Sequence, residues 1–100
     1  VRVRFVGLAK REVFQASRHY DAQAPGLGDA FLDELKRLVD LVKQYPAAWP
    51  IVLGEDIRRA RLNRFPYAIT YRQSNAGIVI FAVAHLKRRP NYRQRRVTDD

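Results

Sequence analysis

The chain has 100 residues, 47% of them hydrophobic, with a formal net charge of +9 and no cysteine. That length and composition describe one globular domain, residues 1–100, and exclude a disordered chain. They also exclude a disulfide framework and thiolate metal sites, and they fit a reducing cytoplasm. No apolar run approaches the ~18 residues needed to cross a bilayer. Arg2, Arg4, Lys10 and Arg11 interrupt the start, so no signal peptide is expected there and the expected location is cytoplasmic.

Val1, Val3 and Phe5 alternate with Arg2 and Arg4, which predicts a strand with one buried face. Gly7 ends it. Residues 8–22 read as a helix, with Ala9, Val13, Ala16 and Tyr20 along one side. Ala24 to Gly28 is a turn by composition. A second helix is expected over residues 29–45, with Asp29 as its N-cap and Phe31, Leu35, Leu38 and Val42 as its stripe. Pro46 stops it, because the residue before a proline is pushed out of the αR region. Residues 47–56 read as a loop that packs Trp49 and Ile51 against the core.

Three strands are predicted next, over residues 57–62, 66–72 and 78–85. Tyr67, Ile69 and Tyr71 share one face of the second strand. Residues 73–77 form a hairpin turn. The third strand is an apolar run rich in β-branched residues, which suits burial on both faces. The order is β-α-α-β-β-β. An αα-hairpin covering a sheet that ends in a three-stranded antiparallel meander is an α+β two-layer sandwich. A basic tail, residues 86–100, follows.

Charge is segregated along the chain. Residues 1–56 carry eight basic and eight acidic side chains, whereas residues 57–98 carry eleven basic and none acidic. Such a segment attracts polyanions and acidic proteins. Alternation sends Arg59 and Arg61 to one strand face and Arg58 to the other. Arg59 and Arg61 can bind phosphates or carboxylates together, or they blunt an edge strand against aggregation. Arg64 follows at the strand exit. Arg88, Arg89, Arg93, Arg95 and Arg96 with Tyr92 form either a nucleic-acid patch or a basic tail for an acidic partner. His85 ends the last strand and is either an acid/base near neutral pH or a locally packed ring. His19 has no Ser, Cys or carboxylate at suggestive spacing. Nothing calls for a cofactor or metal.

The order of elements, Lys43-Gln44-Tyr45-Pro46, Ile57-Arg58-Arg59, the run Arg64-Phe65-Pro66-Tyr67-Ala68-Ile69-Thr70-Tyr71, and residues 78–85 followed by Lys87-Arg88-Arg89-Pro90 resemble the RelE/ParE toxin superfamily of bacterial type II toxin–antitoxin modules, often labelled plasmid stabilisation proteins. The resemblance covers nearly the whole chain. It implies a cytoplasmic toxin neutralised by an acidic antitoxin that wraps the helical hairpin and the sheet edge, in a heterotetramer or larger assembly. RelE-like members cut mRNA in the ribosome, and ParE-like members inhibit DNA gyrase. The ribonuclease pattern is met by Arg59, Arg61 and Arg88, with His85 and Tyr92 as further candidates. It is not met after Tyr67, where Ala68 replaces an expected Arg. That departure favours the ParE-like branch, in which Arg58, Arg59, Arg61, Arg64, Arg88, Arg89 and Arg93 bind antitoxin or target and no residue is catalytic.

Overall fold

The structure, a computed structural model, describes residues 2–87. The elements run β1 (Val3–Phe5), α1 (Gly7–Gln23), α2 (Leu27–Gln44), β2 (Ile51–Leu53), β3 (Ile57–Arg61), β4 (Tyr67–Ser74) and β5 (Gly77–His85). They form one five-stranded sheet in the order β1-β5-β4-β3-β2. The meander β3-β4-β5 is antiparallel, and β1 joins β5 in parallel. This is the expected α+β sandwich, and no helix intrudes on residues 78–85.

Three local expectations change. Ile51, expected to pack on the core beside Trp49, is instead exposed on the short edge strand, and only Trp49 packs there. The segment 47–56 is not all loop, because β2 pairs with β3 and becomes the sheet edge. Only three residues long, it lacked a readable alternation. Asp29 is not the N-cap of α2. Gly26, in the left-handed region at φ 86°, holds that place, and Asp29 lies in the first turn. A carboxylate there still complements the helix dipole. No helix among the described residues is long and apolar enough to cross a membrane.

The helical stripes and one sheet face make the core. Ala9, Ala16 and Tyr20 of α1 and Phe31, Leu35, Leu38 and Val42 of α2 pack on Ala60, Ile69, Tyr71, Ile78, Ile80 and Val83. An aromatic group seals one end, where Tyr20 sits 4.8 Å from Phe65 and Phe31 sits 5.3 Å from Tyr67, centroid to centroid. Edge-to-face geometry of this kind adds to simple area burial. Strand β5 is buried on both sides through its middle, as its composition predicts. Gly77, at φ 131°, lies so close to β1 that a Cβ there would run into the Arg2 carbonyl oxygen. Only glycine fits that crossing.

Two buried glutamates tie the layers together. Glu12 of α1 accepts the Val83 amide at 2.9 Å. Glu34 of α2 accepts the amides of Asn63 and Arg64 in the turn between β3 and β4. Neither helix exposes these side chains, which are each 8% accessible. Buried carboxylates persist only when hydrogen-bonded, and both are. We expect Glu34→Ala to cost about 2 kcal/mol, the range for charge-assisted hydrogen bonds lost in a buried site. Glu34→Gln, which keeps one acceptor, should cost less. Urea unfolding of both variants checks the ranking, and equal losses would contradict it.

Tyr71 is fully buried, and its hydroxyl donates to the Pro46 carbonyl at 2.7 Å. The bond locks the end of α2 to the sheet. Burial raises the Tyr71 pKa above its ordinary value, and nearby Arg58 opposes part of that rise. The folded state therefore favours the neutral phenol. Its contribution is complete below the unfolded value near 10 and is lost as pH climbs through the raised folded value. Tyr71→Phe should cost about 1 kcal/mol at neutral pH and soften the alkaline loss of stability. Unfolding curves at neutral and alkaline pH test both parts.

Candidate functional site

Cross-strand pairs place every arginine of the basic strand. Arg59 faces Thr70 across the ladder and Arg61 faces Ala68. Thr70 and Ala68 in turn oppose Ala82 and Ala84 of β5. Residues directly opposite share a face. Arg59 and Arg61 therefore stand together on the side of the sheet away from the helices, over a floor of small side chains. Residues two apart on a strand are about 6.6 Å apart. Among the described residues, neither arginine has an acidic partner within salt-bridge distance.

The other arginines differ. Arg58 lies on the helix side, opposite Tyr71. Its Nη1 donates to the Trp49 carbonyl at 2.6 Å and to the Ala47 carbonyl at 3.2 Å. It fastens the segment that carries Trp49, a partly buried residue packed on the core. Arg64 is exposed at the β3–β4 turn, its guanidinium 5.5 Å from the Phe65 ring and its own amide held by Glu34. Arg72 shares the face of Arg59 and Arg61, since it opposes Ile57 and Val79. Its Nε lies 3.1 Å from Asp56 Oδ2, an ion pair without hydrogen-bond alignment. Its guanidinium also rests over Phe81.

His85 is on the other side of the sheet. It opposes Tyr67, whose ring packs edge-on against it at 5.3 Å and also meets Phe31 and Tyr20 of the helical layer. Its Nδ1 accepts the Lys87 amide at 3.1 Å, which leaves Nε2 to carry the proton in the neutral ring. The sheet thus separates His85 from Arg59 and Arg61. The ring's contacts in this arrangement are Tyr67 and the Lys87 amide. His19 contacts Gln23 through Nε2 and stacks edge-on with Tyr20. No group of three or more metal-binding side chains occurs among the described residues. Arg88, Arg89, Tyr92, Arg93, Arg95 and Arg96 lie outside the described residues.

Glu12 and Glu34 were not anticipated as structural groups. A signal for them exists. Glu12 sits between Ala9 and Ala16, and Glu34 between Phe31 and Leu38, so both interrupt apolar stripes at helical spacing. An acid at such a position must find a donor on the facing layer.

The split among the arginines is open to a direct check. Arg58→Ala should destabilise by about 2 kcal/mol, because two carbonyls lose a charged donor. Arg59→Ala and Arg61→Ala should stay within about 0.5 kcal/mol of wild type, as surface changes usually do. Thermal or denaturant melts of the three variants decide it, and a large loss in either of the last two would mean that the second face is structural.

A comparison with protein families matches residues 3–90 to the family described as ParE toxin of type II toxin–antitoxin system, parDE. A search of curated proteins found no match. The matched span runs from the first residue of β1 past the end of β5, and takes in both helices and the basic strand. With the β-α-α sandwich and its basic strand in place, the chain belongs to the ParE toxin family of type II toxin–antitoxin systems.

Proposed function

We propose that this protein is the toxin of a type II module, that it acts by protein–protein contact on DNA gyrase, and that a cognate acidic antitoxin neutralises it in the cytoplasm. Family membership supports the toxin and its antitoxin partner. The observation that carries the choice of mechanism is the division of residues by the sheet. Arg59 and Arg61 stand on one face, and His85 packs with Tyr67 on the other.

RNA cleavage demands convergence. A base or oriented hydroxyl, a cation beside the phosphate and a proton donor for the leaving oxygen must meet within hydrogen-bond reach. His85 does not share a face with the two arginines that would stabilise the charge. Ala68 sits opposite Arg61 with no group to offer a phosphate. Absence of one such donor typically costs about 10²–10³ in rate. A protein contact needs no such constellation. It needs a rigid surface with anchors and charge. Phe14, Leu41, Tyr45 and Ile51 are large apolar side chains left exposed, with Phe14 and Tyr45 each 60% accessible. They suit the apolar anchors of an antitoxin, and the excess of arginine suits its acidic residues.

The test is to induce the toxin without antitoxin, map transcript ends at codon resolution, and measure supercoiling by purified gyrase in parallel. Loss of supercoiling with intact transcripts is expected. Codon-phased cuts that vanish on Arg59→Ala or His85→Ala, with supercoiling untouched, would replace this reading by the ribosome-dependent endoribonuclease.

A further inference from the structure

Four buried apolar side chains stand apart from the core under the helices. Ile57, Ala68, Phe81 and Ala82 are 1%, 4%, 0% and 0% exposed, yet none joins the cluster that the helical stripes make with the sheet. Their pairings place them on the opposite face. Ile57 stands across from Arg72, Ala68 from Arg61, and Ala82 from Thr70, which itself faces Arg59. Phe81 is the extra residue where β5 slips its register against β4, and Arg72 lays its guanidinium over the ring at 5.6 Å.

Something must keep water from that face. Both helices lie on the other one, and every described strand is part of the sheet itself. Small residues such as Ala68 and Ala82 are shielded by the long arginine stems beside them. A phenylalanine is too large for that. One guanidinium covers only part of its ring, and a ring at 0% exposure needs apolar cover on its remaining sides. The Arg72 Nε is itself shut off from water. The described residues end at Lys87, shortly after β5, with the thirteen residues 88–100 still to follow. Thirteen extended residues reach about 43 Å, more than the width of five strands spaced about 4.8 Å apart.

We propose that residues 88–100 turn back from the end of β5 and cover this face as a strap, with the Tyr92 ring seated against Phe81. The order of residues suits an extended segment lying flat on an apolar floor. Pro90, Tyr92 and Gln94 occupy alternate positions and are uncharged, whereas Arg89, Asn91, Arg93 and Arg95 occupy the positions between. Period two turns the first set to the sheet and the second to water. Asp99 and Asp100, the only acidic residues after Asp56, come last, and Arg59 and Arg61 frame the face that receives them. A partner that needs the floor must first lift the strap, so the segment is a cover as well as a basic tail.

The chain has no cysteine, so a single introduced thiol reports on cover alone. Ala82→Cys places one on the floor beside Phe81, and Val42→Cys places one in the core under the helices. In the full-length chain both should react slowly with iodoacetamide. Adding Tyr92→Asp should speed the thiol at position 82 by about tenfold or more, as local opening does, and leave position 42 slow. Tyr92→Phe, which keeps the ring, should leave both slow. Fast reaction at position 82 with the strap unchanged, or a rate that Tyr92→Asp does not raise, overturns the proposal. Equal acceleration at positions 82 and 42 means that the whole fold opens, and overturns it too. Protection at position 82 that fades on dilution assigns the cover to a second copy of the chain and overturns the strap as well.

Discussion

Two carboxylates complete hydrogen bonding that the sheet cannot complete for itself. Strand β1 is three residues long and leaves β5 short of an acceptor, which Glu12 provides. The turn from β3 to β4 leaves two amides without sheet partners, which Glu34 provides. Each helix therefore contributes a polar tether besides its apolar stripe. Apolar packing is non-directional, so by itself it lets a helical hairpin slide or rotate over a sheet. A carboxylate aimed at a named amide fixes both register and angle. Tyr71 adds a third tether at the far end of α2 through the Pro46 carbonyl.

Fixing the helices on one face decides what the other face carries. Alternation along β3 divides four consecutive positions between core and cation. Arg58 and Ala60 point to the helices, and Arg59 and Arg61 point away. Arg58 survives on the core side because two carbonyls near the entry to β2 take up its donors. The same division puts His85 with the aromatic end of the core rather than with the paired arginines. The sheet thus holds Arg59, Arg61 and Arg72 on the face away from the helices and His85 on the helical face, with Arg58 the cation tied on the core side.

Much of this was legible beforehand, for reasons that differ by element. The strong stripe of α2, from Phe31 to Val42, and the apolar run from Ile78 are long enough for their periods to be read. The Arg59 and Arg61 pairing on one face followed from period two alone. The strand β2 did not, because three residues carry no period. The start of α2 was misplaced because Asp29 is a good N-cap residue by type. The chain uses the left-handed conformation of Gly26 instead, and only backbone geometry reveals that choice.

The amino-acid sequence by itself determined the order of elements, the amphipathic faces, the segregation of charge and the family. Each is a property of neighbours along the chain or of composition. Tertiary structure alone decided which arginines are tied inside, which face His85 joins, and what Glu12 and Glu34 are for. Those outcomes depend on pairings between residues far apart in the chain, such as Val83 with Glu12 and Arg64 with Glu34. No local pattern encodes such a pairing. It exists only when burial leaves an amide without water and brings one carboxylate within reach.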